Sequence, residues 1–281
     1  MLPCCILLAL SLAPSSDALT RRCLLTAGTA AALTSACTPP ALAAVSSSES
    51  AARVLLGVDW EEEPPYTRED FRRLDESDDS RFYDEPKLVY HIDEPAVRAT
   101  TAFYGSLFKE VAERRYGSDS AKLDVLDLCS SWVSHYPPSV AFGRAAGLGM
   151  NAAELEKNPV LTDFVVRDLN KQPTLPYADG AFDAVTCTVS IDYLTSPVQV
   201  MSEVARVLRP GGSVALLFSD RLFFSKAIAL WTGKDDEEHI YTVGGYLHYG
   251  GKGRLAEPAA MELRPKKKGQ DPLYAVFASR K

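Results

Sequence analysis

Asp183-Ala184-Val185-Thr186-Cys187-Thr188-Val189, then Ser196-Pro197-Val198-Gln199, then Arg206-Val207-Leu208-Arg209-Pro210-Gly211-Gly212 running into Ser213–Phe218, spell a strand, a helix and a second strand in succession. Ser196 is placed to cap the helix, Pro197 suits its first position, and Gln199 completes the capping pattern. Val200, Val204, Val207 and Leu208 recur as its buried stripe, and Pro210-Gly211-Gly212 stops it.

The same alternation extends outward. Upstream, Leu123–Leu128 reads as the first strand, Arg144–Met150 as the second and Asp163–Asp168 as the third, with Asp183–Val189 fourth and Ser213–Phe218 fifth. Val97, Phe103, Leu107, Phe108 and Val111 recur at helical spacing ahead of the first strand. Asn151 and Glu154 form a capping box, and Pro137-Pro138 limits the helix after strand one to about two turns. A further helix is expected around Leu222–Trp231. Ala260–Arg264 and Leu273–Ser279 then pair as an antiparallel hairpin across a short polar loop that carries Lys266-Lys267-Lys268. The fold class is α/β: a doubly wound, mostly parallel, seven-stranded sheet with a C-terminal antiparallel hairpin.

The chain divides into three parts. Residues 1–43 hold two short apolar runs, neither reaching the roughly 20 residues that span a bilayer. Cys4–Leu12 is followed by Ser16-Asp17-Ala18, and Thr20-Arg21-Arg22-Cys23-Leu24-Leu25 leads a second run that ends in Ala41-Leu42-Ala43. The two addresses in tandem resemble the layered presequences of proteins sent through a plastid into the thylakoid lumen by the twin-arginine route. An exported bacterial protein, with Thr34-Ser35-Ala36-Cys37 as a poor lipobox, is the alternative.

Residues 44–95 are a Ser-rich linker and an acidic arm. Between Asp59 and Glu94 stand 14 acids and 5 bases. Trp60, Tyr66, Phe71, Phe82, Tyr83 and Tyr90 predict that this arm packs on the core and covers a site. Residues 96–281 form the remaining domain. The formal charge is −7, and removing Asp17, Arg21 and Arg22 (net +1) leaves −8. No basic face of the kind nucleic acid needs is evident. Beyond residue 43 only Cys129 and Cys187 remain, which excludes a disulfide framework. No metal-ligand spacing stands out, and no integral membrane segment is expected beyond the presequence.

Leu175-Pro176-Tyr177-Ala178-Asp179-Gly180-Ala181-Phe182-Asp183-Ala184-Val185, with Arg206–Gly212 at its usual separation, resembles the signatures of the class I S-adenosylmethionine-dependent methyltransferases, type 11 subgroup. The resemblance runs from about Ala96 to the C-terminus. It implies a Rossmann-like fold, S-adenosylmethionine as cofactor, and a small-molecule methyl acceptor. These signatures are structural and carry no chemistry.

The resemblance also implies a site at the carboxyl ends of strands one to four. Asp168-Leu169 stand where the family's acid accepts from the adenine amine, and Met150 where an apolar residue packs on adenine. Gly149 stands where a ribose-binding acid is expected, with Asn151 as an uncharged substitute. Asp127 matches the acid ending strand one. Cys129, Ser131 and Val133 occupy the places of the family's three loop glycines, beside Trp132, and Val133 is the residue least suited to positive φ. Ser130 and Ser131 are candidate caps of the short helix, offering amides to a carboxylate. Ser190 lies beside the cofactor, Asp192 is the candidate base with His135 as a second catalytic candidate, and Tyr193, Tyr246 and His248 are candidate substrate contacts. Strands one and four are neighbours in such folds, which brings Cys129 and Cys187 close. Three readings stay open: a methyltransferase, a protein binding another small ligand, and a non-catalytic binding or assembly factor of the thylakoid.

Overall fold

The computed structural model describes residues 49–281, so the expected presequence lies outside the described residues. The strands are β1 (Leu123–Leu128), β2 (Phe142–Gly149), β3 (Asp163–Val166), β4 (Phe182–Thr188), β5 (Leu208–Phe218), β6 (Ala259–Arg264) and β7 (Leu273–Ser279). The helices are α1 (Glu49–Val54), α2 (Asp79–Phe82), α3 (Glu94–Tyr116), α4 (Ala152–Glu156), α5 (Pro197–Val207) and α6 (Asp236–Gly251). One sheet runs β3-β2-β1-β4-β5-β7-β6. Its first five members are parallel, and β7 inserts antiparallel between β5 and β6. The order reverses between β1 and β4, which opens a crevice at their carboxyl ends.

Both faces of the sheet are covered, as parallel strands require. On one face α3 buries Phe103, Tyr104, Leu107, Phe108 and Val111 against Val125, Ala145, Ala215 and Leu217. On the other, Val200 and Val204 of α5 and Ile240, Val243 and Leu247 of α6 pack on Leu126, Leu148, Val185 and Leu216. The signature residues sit at the opposite end from the crevice. Buried Asp183 accepts from the Asp124 amide at 2.8 Å, the Tyr116 hydroxyl at 2.9 Å and the Arg209 guanidinium at 2.8 Å. They lock the strand starts together.

Two local expectations fail for identifiable reasons. No helix forms between β1 and β2. The Ser130 amide instead donates to the Leu148 carbonyl at 2.8 Å, laying the chain across the end of β2 before it can turn upward. Residues 222–231 are not a helix either, because the amides of Ala229 and Leu230 donate to Arg72 and Asp70 of the arm, each at 2.7 Å. One helix, α6, covers a segment for which the sequence suggests no element; Gly244, Gly245, Gly250 and Gly251 lie within it.

Those glycines are sites of close approach. A Cβ at Gly245 would lie 2.1 Å from the Tyr66 hydroxyl, and one at Gly250 would lie 2.5 Å from Met201 Cβ of α5. The start of α6 carries a full capping box, Asp235 with Glu238. By contrast, Ser196 makes no side-chain cap, although Pro197 opens α5 as expected. Residues 49–55, within the expected linker, contain α1, which buries Ala51 and, beyond it, Leu55.

Candidate active site at the carboxyl ends of the strands

A cavity of about 280 Å³ lies at the carboxyl ends of β1 to β4, near the lower bound for small-molecule sites. Its floor is the strand ends, and the acidic arm forms its outer wall. Of the candidate residues, Asp127, Cys129, Ser130, Ser131, His135, Gly149, Met150, Asn151, Asp168, Leu169, Ser190 and Tyr193 line it.

The β1 end is built around Asp127, which is 3 % exposed. One of its oxygens accepts from Ser130 Oγ at 2.6 Å and Ser134 Oγ at 2.7 Å. Burial pushes its carboxyl up to about 6, and the hydroxyls oppose that rise. Ser131 Oγ donates to Glu154 instead, so neither Ser130 nor Ser131 caps a helix. Ser130 and Ser134 tie a glycine-free loop down onto the acid that ends β1.

This loop is strained. Cys129 and His135 have φ of 54° and 57°, and Val189, after β4, has 45°. Val189 is β-branched and therefore the costliest of the three. Four described non-glycine residues have positive φ, and these three line the cavity. Strain of this kind collects at functional sites. Val133 is not one of the four, so the expected conflict at that position does not arise.

Gly149 ends β2 and explains why no acid stands there. A Cβ at this position would lie 2.1 Å from the Ser130 carbonyl oxygen, so the descending loop excludes any side chain. Asn151 does not substitute for that acid. Its oxygen accepts from the Glu154 amide at 3.1 Å, and its amide donates to the carbonyls of Tyr83 at 2.8 Å and Asp84 at 3.1 Å. At the β3 end, Asp168 accepts from the Asn170 amide at 2.9 Å, forming a tight turn. Lys171 lies 3.7 Å from the other oxygen of Asp168.

The arm is clamped over this floor. Lys226 is 1 % exposed, and its ammonium lies 3.0 Å from Asp75 and 3.1 Å from Asp79 while donating to the Ser77 carbonyl at 2.9 Å. Asp79 also takes Arg73 at 2.7 Å and Asn170 at 3.0 Å. Further along, Trp132 Nε1 donates to the Val89 carbonyl at 3.2 Å, and Tyr90 packs on Trp132 at 4.9 Å and on His135 at 5.8 Å. Burial and the neighbouring His91 push His135 down to about 4, so its ring is neutral at pH 7.

Three candidates are not at the cavity. Asp192 is 3 % exposed, and burial lifts it to about 7, but its carboxyl is not among the lining groups and its Oδ2 has no partner. Tyr246 is fully buried beneath Tyr66 and Phe71. His248 stacks on Trp60 of the arm at 5.0 Å. A position just after β4 singles out Asp192, and the resemblance singles out Tyr246 and His248; α6 instead packs Tyr246 and His248 against Tyr66 and Trp60 of the arm. Cys187 pairs in register with Leu128, next to Cys129, and both thiols are free. Proximity to Cys129, with burial, pushes the Cys187 thiol well up.

Sequence reading missed Glu154 as a cavity residue, along with Lys87, His91, Asn170, Val189, Arg221 and Phe223. For Glu154 the signal was its place in a capping box. The box does not close: the carboxylate leaves the Asn151 amide and accepts from the Lys87 amide and Ser131 Oγ, each at 2.6 Å.

Residues 145–216 match the family model described as a methyltransferase domain. The methyltransferase GfsG of Streptomyces halstedii is 39% identical over 77 residues, 26% of this chain and 28% of that protein. The human thiol S-methyltransferase TMT1B is 31% identical over 110 residues, 33% of this chain and 41% of that protein. The chain thus spans less than half the length of these curated relatives. A solved S-adenosylmethionine-dependent methyltransferase from Mesorhizobium loti is 16% identical, with a TM-score of 0.41 over 57% of this chain and 92% of that one.

Proposed function

We propose that this chain, which carries a methyltransferase domain on a doubly wound sheet, transfers a methyl group from S-adenosylmethionine to a small, largely apolar molecule. The observation that carries the reading is the cavity itself. It lies at the switch point of a sheet ordered β3-β2-β1-β4-β5-β7-β6, and Asp168, which falls within the family match, stands on its wall.

S-adenosylmethionine, when bound, supplies an electrophilic methyl group on a sulfonium. The residues present fit such a ligand at its nucleoside end. Asp168 accepts the adenine amine, while Met150 and Leu169 offer apolar surface to the ring. The tied loop of residues 129–135 walls the other end.

Toward the arm the cavity is lined by Tyr83, Tyr90, His91, Trp132, Tyr193 and Phe223, a wall suited to a flat, apolar acceptor. Strong bases are scarce there. His135 is pushed down to about 4, His91 is also lowered by burial, and Asp192 lies outside the cavity. Such a site aligns its reactants rather than deprotonating them, and so suits an acceptor that is nucleophilic without a base near pH 7, such as an aromatic amine or an acidic thiol.

Calorimetric titration of the full chain with S-adenosylmethionine and S-adenosylhomocysteine tests this reading. Micromolar binding of both supports it. Millimolar or absent binding of both overturns it in favour of a non-catalytic binding factor.

Residues 1–43 carry the address of this activity, a tandem plastid and thylakoid-lumen presequence. Support comes from the two apolar runs and the Arg21-Arg22 pair. Import into isolated chloroplasts checks it: replacing both arginines with lysine should leave the protein in the stroma, and lumenal delivery of that variant would remove the assignment.

A further inference from the structure

The end of β2 poses a chemical problem that the geometry also answers. A nucleoside presents two ribose hydroxyls, and an acid at about this point normally accepts them. Here the Ser130 carbonyl forbids any side chain at Gly149, and all the hydrogen-bonding capacity of the Asn151 amide nitrogen is committed to the arm. One turn further along, Glu154 of α4 reaches the same cavity.

Glu154 is an unusual group to bury. It is 8 % exposed, and among the described residues no lysine or arginine pairs with it. A buried carboxylate without a cation needs hydrogen-bond donors to offset its lost hydration. It has two, the Lys87 amide and the Ser131 hydroxyl, one on each oxygen and each at 2.6 Å. A carboxylate has about four acceptor sites, so each oxygen keeps one open, on a group that lines the cavity. The two donors come from the arm and from the β1 loop. They fix the carboxylate from both sides, leaving it little freedom to turn away.

We propose that Glu154 accepts the ribose hydroxyls of the nucleoside ligand, replacing from the first turn of α4 the side chain that the Ser130 carbonyl excludes at Gly149. The proposal rests on the S-adenosylmethionine reading. Ser131 and Lys87 act as positioning groups: one brings the rebuilt loop, and the other the arm, to the same carboxylate. The loss of the loop glycines and the loss of the strand-end acid are then one change. The loop that descends onto β2 removes the old position and, through Ser131, holds the new one.

The test is calorimetry on the full chain with S-adenosylhomocysteine, its 2′-deoxy analogue and 5′-methylthioadenosine, using wild type, Glu154→Gln and Glu154→Asp. Wild type should bind the 2′-deoxy analogue about 10- to 100-fold more weakly than the parent, the range for a hydrogen bond to a charged group. Glu154→Gln should weaken the parent and lose most of that discrimination. Glu154→Asp keeps the charge but withdraws it by one methylene, and should lie between; it also serves if the glutamine variant does not fold.

Retention of the full discrimination in either folded variant overturns the proposal. So does a loss confined to S-adenosylhomocysteine with methylthioadenosine unaffected, because Glu154 would then hold the amino-acid ammonium instead. If wild type binds none of the three ligands, the functional reading fails first, and the assignment of Glu154 falls with it. Wild-type binding without hydroxyl discrimination sinks the assignment alone.

Discussion

The two ends of the cavity are built on opposite principles. At the β3 end, Asp168 sits on a short, unstrained turn, 14 % exposed at its side chain, with its carboxylate partly free for a ligand. At the β1 end, Asp127 is sealed beneath serine hydroxyls, and the backbone above it is left-handed at Cys129 and His135. The first acid keeps an open face toward the cavity. The second holds a loop in a shape that its sequence resists. The same sheet can thus keep one half of a ligand site in its simplest form while rebuilding the other around buried hydrogen bonds.

The largest way to break this contrast is to put the acid back on β2. Gly149→Asp drives a Cβ into a backbone carbonyl 2.1 Å away. Overpacking of this kind costs about 3 kcal/mol, or a fall in Tm of roughly 6 to 12 °C for a domain of this size. Thermal unfolding by circular dichroism measures it. A Tm unchanged within a degree or two would mean that the loop moves freely and that nothing about it dictates glycine.

Asp127 offers the next effect. Its carboxyl is raised from 3.8 to about 6 on folding, so the unfolded chain releases that proton first as pH rises. Stability carried by the neutral acid is full below about pH 4 and is lost as pH rises through about 6. Each pKa unit corresponds to 1.36 kcal/mol, so the loss at pH 7 is about 3 kcal/mol at most. Asp127→Asn is nearly isosteric. Its carbonyl can still accept from both serines, and its amide can donate to Thr186 Oγ1, which now lies 3.4 Å from the other carboxylate oxygen. The variant should match wild type near pH 4 and exceed it at pH 8 by up to that amount. Parallel curves across that range would show that Asp127 is ionised without cost.

How much of this was legible in the sequence follows the same divide. The order of strands was readable because buried parallel strands need apolar runs, and Asp183, Arg209 and Gly212 fix their starts through local contacts. Asp168's place on the cavity wall was readable because its turn is local. The β1 end was not. Ser130 and Ser131 look like helix caps until the distant Leu148 carbonyl takes the Ser130 amide, and Glu154 looks like a capping residue until Lys87 of the arm takes its oxygen. The arm's aromatics announced that it would pack, but one anchor, Lys226, sits about 150 residues from the Asp75, Ser77 and Asp79 it holds. Helix α6 was not assigned because its glycines answer to distant partners, Tyr66 and Met201, rather than to its own periodicity.

At the unstrained end, Asp168→Asn should weaken S-adenosylhomocysteine about tenfold, the lower range for losing one charge-assisted hydrogen bond. It should leave the melting temperature nearly unchanged, since the side chain supports only a local turn. Calorimetry and thermal unfolding on the same sample separate the two. A large fall in Tm would make Asp168 a structural acid and remove the contrast with Asp127.

The finest test returns one glycine to the loop. Cys129 already has a φ of 54°, a left-handed conformation that costs a non-glycine residue roughly 1 to 2 kcal/mol and glycine almost nothing. Cys129→Gly removes that strain. It gives up only a partly buried thiol beside Cys187, together with some entropy in the unfolded chain. The net expectation is a gain of about 1 kcal/mol, read as a rise in Tm of roughly 2 to 4 °C, with the hydrogen bonds to Asp127 intact. Val133→Gly at the neighbouring family position should give no such gain, because Val133 does not have positive φ. If the two substitutions behaved alike, the strain at Cys129 would not be stored in the backbone. A gain at Cys129 alone would show that the loop keeps the family's backbone turn at that residue while doing without its glycine.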